Sequence, residues 1–186
     1  MRDVCYELEV AGLKRQLPLC PVAADTDIAA FIMFGDVELT KACAKALLEK
    51  APDFDIMITA EAKGIPLLYE MARQAGRNEY IIARKGPKLY MQDILTSQVN
   101  SITTKHKQVL CIGRRETDAM RGKQVLIVDD VISTGQSLAA LESLVLSAGG
   151  HVAGRMAVLA EGEAIGRNDI IYLEELPIFH RDGTPR

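Results

Sequence analysis

Two adjacent carboxylates, Asp129 and Asp130, follow an apolar run at residues 125–128, and a turn rich in hydroxyls comes next. The residues of this turn are Ser133, Thr134, Gly135, Gln136 and Ser137. The apolar run predicts a buried strand, and apolar residues at helical spacing after the turn predict a helix. Free amides at a helix N-terminus, hydroxyl donors and a glycine that permits close approach bind an anion well. The pattern therefore predicts a monophosphate site.

The two carboxylates need a different role, because they would repel that phosphate. Ionised carboxylates accept hydrogen bonds from neutral hydroxyls and bind hard cations. A sugar phosphate with a vicinal diol satisfies both parts of the motif, with its phosphate in the turn and its hydroxyls on Asp129 and Asp130. We therefore expect a phosphorylated sugar as the ligand.

Two other structures could produce the same short pattern. Ser, Thr and Asp commonly cap helices, so the motif could be an ordinary strand end followed by a capped helix. A phospho-acceptor receiver domain also carries two acids after its first apolar strand. Most of a receiver follows those acids, whereas too few residues follow Asp130 to complete one. On the motif alone, the capped helix stays open as an alternative.

The composition favours one domain, residues 1–186, with a sizeable core. Of its 186 residues, 48% are hydrophobic, which suits a single well-packed unit. The 22 basic and 25 acidic residues nearly balance, so we expect neither nucleic acid nor an anionic membrane as a partner. No apolar run in the sequence approaches the length of a membrane span. Four scattered cysteines predict reduced, mostly buried thiols in a cytoplasmic protein.

Strands and helices alternate along the sequence and would position the motif. A period-two pattern on both sides of Ala11 and Gly12 predicts a hairpin, and helical spacing over 36–50 predicts a helix capped by Asp36. Further strands are predicted at 54–60, 79–85, 108–113, 152–160 and 169–176, with a helix over 64–76 that ends at Gly76. This order predicts an α/β fold, with a mostly parallel, twisted sheet and helices on both faces. Ligands bind beyond the carboxyl ends of such strands, where we expect Asp129 and Asp130.

The alternation is interrupted at residues 86–108, which show no clean period. Basic residues dominate around this segment: Arg84, Lys85, Lys88, Lys105 and Lys107, against one acid, Asp93. A long cationic segment between strands is more often functional than structural. The final residues, 179–186, contain Gly, Pro and charges, which predicts a frayed tail.

Three segments give the chain a family resemblance. "VLIVDDVISTGQSL" resembles the signature of the type I phosphoribosyltransferases, "TAEAKGIPL" resembles their pyrophosphate loop, and "ARKGPKLY" resembles the basic segment that enters their flexible lid. Members of this family bind 5-phosphoribosyl-1-pyrophosphate (PRPP) with Mg²⁺ and exchange its pyrophosphate for a nitrogenous base. The resemblance therefore implies a glycosyltransferase that acts at the anomeric carbon of ribose.

The resemblance also implies a role for each motif residue. Asp129 and Asp130 would hold the ribose hydroxyls and stabilise a cationic sugar, and residues 133–137 would hold the 5-phosphate. The pyrophosphate would lie on Glu61, Ala62, Lys63 and Gly64, with Arg84, Lys85 and Lys88 neutralising its charge. Mg²⁺ would be held mainly through PRPP, with Asp129 or Asp130 as the candidate protein ligand. Residues 1–35 would form a hood, residues 86–108 a lid, and the protein a homodimer.

Within this family the chain is most similar to the adenine and xanthine enzymes. Its E-A-K-G-I is similar to the adenine enzymes' E-A-R-G-F, whereas its S-T-G-Q resembles the xanthine enzymes' A-N-G-Q. The 6-oxopurine enzymes place a lysine where this chain has Glu161, and a carboxylate accepts from the 6-amino group of adenine. Val131 is the candidate face for stacking the purine. The resemblance therefore favours adenine, with xanthine or another 6-oxopurine as the alternative.

Two observations keep other hypotheses in view. The adenine enzymes carry a catalytic glutamate in a Tyr-x-Leu-Glu-Tyr lid segment, and here Tyr90 and Asp93 are the nearest substitutes.

Some relatives sense PRPP and regulate transcription without catalysis. Such regulators usually carry a separate DNA-binding domain, and the sequence before residue 55 shows no basic helix pair. We therefore expect an enzyme rather than a PRPP-sensing regulator.

Overall fold

A computed structural model describes residues 4–99 and 108–186 and contains a central sheet of five parallel strands. In spatial order these strands are β10 (Ile171–Leu176), β9 (His151–Glu161), β8 (Gln124–Ile132), β4 (Ile56–Ala60) and β5 (Ile81–Ala83). All neighbouring pairs are parallel. The predicted α/β fold with a parallel sheet is therefore confirmed.

Helices cover both faces of this sheet, as predicted. Two long helices, α1 (Val37–Lys50) and α2 (Ile65–Gln74), contact one another and lie on one face. The other face carries α3 (Arg114–Met120) and α4 (Gln136–Ser147). Asp36 caps α1 as expected, because its carboxylate accepts a hydrogen bond from the backbone N–H of Leu39 at 3.0 Å. Among the described residues, no helix is long and apolar enough to cross a membrane.

The apolar run of β8 is continuous because each face of the strand meets a different core. Leu126 and Val128 belong to the core beneath α1 and α2. Val125 and Ile127 point the other way, into the core beneath α4. Successive strand side chains alternate between faces, so a strand covered on both sides needs apolar residues at every position. This burial fixes β8 as a rigid support for the two acids that follow.

A second, antiparallel sheet packs beside the first and has the order β1-β2-β3-β11. Residues 1–35 supply β1 (Cys5–Val10), β2 (Leu13–Pro21) and β3 (Thr26–Ala29). The predicted hairpin joins β1 to β2 through Ala11 and Gly12, which both have positive φ, as hairpin turns of type I′ require. The fourth strand, β11 (Ile178–His180), comes from the C-terminal tail.

The prediction that the tail frays is wrong. Phe179 in β11 is 1% exposed, and its ring lies 5.1 Å from the ring of Tyr6. Arg186 Nη2 lies 2.7 Å from Asp25 Oδ2, which ties the last residue to the turn before β3. An aromatic anchor and an ion pair therefore hold a segment whose composition alone suggests a loose end.

The interrupted segment contains more regular structure than its sequence indicated. Strand β6 (Leu95–Val99) pairs antiparallel with β7 (Gln108–Ile112), and the two form a separate two-stranded sheet rather than joining the central sheet. A β-bridge between Arg84 and Cys111 connects this two-stranded sheet to the end of β5.

Cys111 is buried and Cys5 is exposed, so the expectation of mostly buried thiols holds for only part of the set. Lys105 and Lys107, part of the predicted lid, lie outside the described residues.

Candidate active site

The two predicted ligand loops meet at one edge of the central sheet. Asp129 and Asp130 lie near the carboxyl end of β8, which continues to Ile132 and leads through a short turn into α4. The neighbouring parallel strand β4 ends at Ala60, and residues 61–64 connect it to α2. Since parallel neighbours end at the same edge, the fold brings the paired acids beside this second loop.

The turn after β8 leaves free backbone donors at the start of α4. Gly135 is the N-cap residue of α4 with φ +75°, and no side chain in the described part of the protein caps the helix. A cavity of about 120 Å³ lies here, lined by Asp129 and by residues 131–138. Unpaired amides and the positive end of the helix dipole face this space. The geometry suits a small anion, as the sequence predicts.

The paired acids differ in their surroundings. Asp130 is 3% exposed and forms an ion pair with Lys63, whose Nζ lies 2.8 Å from Asp130 Oδ2. The backbone N–H of Asp130 donates to Asp129 Oδ1 at 2.9 Å. Burial and the neighbouring carboxylate of Asp130 raise the pKa of Asp129, while the positive charge of Lys63 opposes the rise. A cation or a hydroxyl donor that enters the site would stabilise the ionised form of these two neighbouring carboxyls.

The loop before α2 approaches the acids closely because it contains Gly64. A Cβ on Gly64 would lie 2.2 Å from Thr59 Oγ1 and 3.3 Å from Asp129 Oδ1. Thr59 is fully buried, and its hydroxyl has no hydrogen-bond partner within residues 4–99 and 108–186. The peptide bond between Glu61 and Ala62 is cis. Sequence reasoning missed Thr59, although a hydroxyl in an otherwise apolar strand was a signal for it.

The basic segment after β5 contacts the same loop through Glu61. Arg84 Nη1 donates to Glu61 Oε1 at 3.0 Å, and Arg84 Nη2 donates to the hydroxyl of Tyr90 at 3.1 Å. The backbone N–H of Lys85 donates to Glu61 Oε2 at 3.0 Å, and this bond together with Arg84 holds the pKa of Glu61 below its usual range. The side chains of Lys85 and Lys88 are exposed. Predicted residues of two segments therefore come together, with a Glu61–Arg84 ion pair that the sequence did not indicate.

The two candidate base-binding residues flank the acids. Glu161 ends β9, next to β8, and burial raises the pKa of its carboxyl, whereas the hydroxyl of Ser133 and the charge of Lys63 lower it. Val131 lies in β8, packs partly against the core and lines the anion cavity. The structure thus places Glu161 and Val131 on neighbouring parallel strands, at the edge of the sheet that carries the paired acids.

The carboxylates present suit a metal ion that takes most of its ligands from a bound phosphate compound. Among the residues that the structure describes, no three His, Cys, Asp or Glu side chains cluster as a metal cage. Asp129 and Asp130 nevertheless offer hard oxygen donors side by side. Mg²⁺ is commonly held by one or two carboxylates together with substrate phosphates and water, so this pair fits it.

Comparison with known proteins agrees with this geometry. Residues 37–176 match the family model described as "Phosphoribosyl transferase domain". The chain is 29% identical over 139 residues to the xanthine phosphoribosyltransferase of Exiguobacterium sp., covering 73% of this chain and 70% of that protein. It is 31% identical over 136 residues to the adenine phosphoribosyltransferase of Rhodococcus jostii, covering 72% of each.

A solved structure shows the same fold. The adenine phosphoribosyltransferase of Thermoanaerobacter pseudethanolicus superposes with a TM-score of 0.71 at 23% identity, covering 86% of this chain and 95% of that one. The family match spans the central sheet, both ligand loops and the candidate base residue Glu161. The chain therefore belongs to the phosphoribosyltransferase family, in its purine branch.

Proposed function

We propose that this protein transfers the 5-phosphoribosyl group of PRPP to adenine with the help of Mg²⁺, giving the nucleoside monophosphate and pyrophosphate in purine salvage. The observation that carries this proposal is the meeting of three groups at one sheet edge. These are the paired acids of β8, the uncapped glycine turn before α4, and the Lys63 loop, which is joined to the acids by the 2.8 Å contact with Asp130.

In this reaction, the bond between the anomeric carbon and a pyrophosphate oxygen breaks, and a bond from that carbon to a ring nitrogen of the base forms. The pyrophosphate leaves with the bonding electrons, and the base loses a proton. Positive charge grows on the sugar between these events. Asp129 and Asp130 hold the 2- and 3-hydroxyls and stabilise that charge, while residues 133–137 hold the 5-phosphate at the start of α4.

The leaving group gains negative charge and needs donors. Backbone amides of residues 61–64 and the ammonium of Lys63 receive the pyrophosphate, which draws Lys63 away from Asp130. Arg84, Lys85 and Lys88 add positive charge from the neighbouring segment, and Glu61 holds Arg84 in place through the 3.0 Å contact. Asp129 or Asp130 would hold a Mg²⁺ ion that enters with PRPP, and the ion would neutralise part of the charge that develops on the leaving pyrophosphate.

Adenine is the favoured base. The Glu161 carboxylate accepts a hydrogen bond from a 6-amino group but, when ionised, has no proton to donate to a 6-oxo group. Val131 supplies an apolar face for the purine. The identity of 31% to the Rhodococcus jostii adenine enzyme supports the same choice, and the 29% identity to a xanthine enzyme keeps xanthine as the alternative.

The surrounding segments complete the site in this proposal. The antiparallel sheet of β1, β2, β3 and β11 forms the hood, and residues 86–99 contribute to a lid that excludes water. Residues 100–107 of the predicted lid lie outside the described residues. Exposed apolar side chains before and at the start of α1 and in the middle of α2 support a homodimer: Ile32, Phe34, Val37 and Tyr69. Four free cysteines suit a reducing compartment, and we propose the cytoplasm.

Pyrophosphate release from PRPP and Mg²⁺ tests this proposal, with adenine, xanthine, hypoxanthine, guanine and orotate offered separately. Fast release with adenine supports it. Faster release with xanthine would transfer the base assignment to the 6-oxopurines. PRPP binding without turnover on any base would instead favour a PRPP-sensing regulator.

A further inference from the structure

Arg167 packs directly against the apex of the glycine turn that precedes α4. A Cβ on Gly135 would lie 2.6 Å from Arg167 Nη1, which is closer than side-chain carbons approach a neighbouring atom. Arg167 follows the short 3-10 helix Gly162–Ala164 and precedes β10, so it reaches the turn from the far side of β9. The guanidinium therefore packs against one side of the turn.

Asp169 fixes the orientation of this guanidinium. Its carboxylate accepts from Nε at 2.9 Å and from Nη2 at 2.6 Å, which is a bidentate pair. Within residues 4–99 and 108–186 no hydrogen-bond acceptor is found for Nη1, the nitrogen that faces Gly135. The side chain is 33% exposed, so the pair is neither free in solvent nor fully buried.

Glu142, another acidic side chain near Arg167, is already paired with a different arginine. The hydrogen-bonded carboxylate of Asp169 is the main cause that raises the pKa of Arg167, and the charge of Glu142 on α4 adds to it. Glu142 itself accepts two hydrogen bonds from Arg155, including one from Nε at 3.1 Å. Arg155 and Glu142 thus satisfy one another at the side of the helix. Asp169 is therefore the carboxylate that holds Arg167 against the turn, through its two hydrogen bonds.

We propose that Arg167 is a positioning residue for the 5-phosphate turn, an inference that rests on the proposed function. Glycine at the apex gives the turn the conformation it needs but leaves it more freedom than any other residue would. A guanidinium packed on that glycine restricts the turn before the ligand arrives, so less ordering is required on binding. The first backbone amides of α4 are then already oriented to donate hydrogen bonds to a phosphate ester.

Binding of ribose 5-phosphate and of pyrophosphate, measured by calorimetry on the full chain, tests this proposal. In the proposed function, the phosphate of ribose 5-phosphate binds at the turn before α4, and pyrophosphate binds at the loop before α2. We expect Arg167→Met to weaken ribose 5-phosphate binding by about tenfold, because the turn must then be ordered when the ligand binds, and to leave pyrophosphate affinity unchanged. In turnover, the KM for PRPP should rise with little change in kcat.

Two further variants separate positioning from charge. Arg167→Lys keeps the charge but cannot form the fork with Asp169, so a positioning role predicts no recovery. Asp169→Asn leaves the arginine but weakens its fork, and should reproduce part of the loss. Arg121→Met is the matched control, because Arg121 is an exposed arginine paired with Asp118 before β8 begins, at the opposite end of the strand.

Three results would overturn the proposal: unchanged ribose 5-phosphate affinity in Arg167→Met, equal weakening of both ligands, or full recovery by Arg167→Lys. Should Arg167→Met not fold, Asp169→Asn carries the test with the same two ligands. A wild-type protein that binds ribose 5-phosphate without turnover on any base would contradict the proposed transfer activity alone. A wild-type protein that binds no ribose 5-phosphate would overturn both.

Discussion

Lys63 Nζ lies 2.8 Å from Asp130 Oδ2, and this contact joins the loop after β4 to the acids of β8. Asp130 has a side chain that is 4% exposed, whereas the Lys63 side chain is half exposed. A buried carboxylate thus depends on a cation that can move into solvent or onto a ligand. Binding of an anion to the Lys63 loop and the electrostatics of the paired acids are therefore coupled.

We expect Lys63→Met to lower the free energy of unfolding by about 1–2 kcal/mol, because Asp130 would lose its positive partner while staying buried. Chemical denaturation at pH 7 measures this. Lys63→Arg is the matched control and should keep most of the stability. Adding Asp130→Asn to Lys63→Met should recover stability, since it removes the unpaired charge. A double variant less stable than Lys63→Met would contradict the view that the unpaired charge of Asp130 causes the loss.

Gly64 should tolerate no side chain while Thr59 keeps its hydroxyl. The Cβ of Gly64→Ala would lie 2.2 Å from Thr59 Oγ1, so the loop must shift away from Asp129. We expect turnover to fall at least about tenfold, since small displacements of positioning groups reduce rates strongly. Combining Thr59→Ala with Gly64→Ala removes the clash, and steady-state kinetics should show partial recovery. Full activity in Gly64→Ala alone would contradict this close approach.

Glu161 should make base preference depend on pH. Burial raises its pKa above the ordinary value of 4.5, so its carboxyl takes up a proton at a higher pH than an exposed glutamate does. Ionised Glu161 accepts from a 6-amino group, and protonated Glu161 can donate to a 6-oxo group. As the pH falls through this pKa, the ratio of kcat/KM for adenine to that for hypoxanthine should fall.

Two variants check the same assignment. Glu161→Gln retains one acceptor and adds donors, so it should raise relative activity with hypoxanthine and remove the pH dependence of the ratio. Glu161→Leu should lose affinity for both bases. An unchanged base ratio in Glu161→Gln at every pH would remove Glu161 from base recognition.

Glu70 on α2 predicts a loss of stability in acid. It is 7% exposed, accepts two hydrogen bonds from Arg73 and one from Gln74, and these contacts lower its pKa to about 2. A lowered pKa means that the stabilisation is complete above the unfolded value near 4.5 and is lost as the pH falls toward 2. Since Arg73 is mostly exposed, Glu70→Gln should lower the free energy of unfolding by about 1 kcal/mol at pH 7. Denaturation curves of both proteins should converge near pH 2, and a constant difference would contradict this account.

The central sheet and its ligand loops could be predicted because their signals are local. β4 and β8 are continuous apolar runs, Asp36 sits one residue before a helical pattern, and the glycine turn follows the acids directly. The roles of Phe179 and Arg167 could not be predicted in this way. Phe179 packs on Tyr6 from the other end of the chain, and Arg167 reaches Gly135 across β9.

The Glu61–Arg84 pair shows the same limit within the site. Both residues were recognised in their own segments, but their contact depends on β4 and β5 being neighbours in the sheet. Strand order follows from packing over the whole chain, so no short motif records it. Sequence patterns thus identified many of the components, and the fold determined which of them touch.

The most direct test of the account is the amount of AMP formed from adenine, PRPP and Mg²⁺ by the wild type and by the Asp129→Asn/Asp130→Asn variant. We predict AMP and pyrophosphate in equal amounts from the wild type. The variant should keep its fold by circular dichroism and lose at least about a hundredfold in rate, because the sugar's positive charge loses both carboxylates. No AMP from the wild type, or an undiminished rate in the variant, would contradict the account.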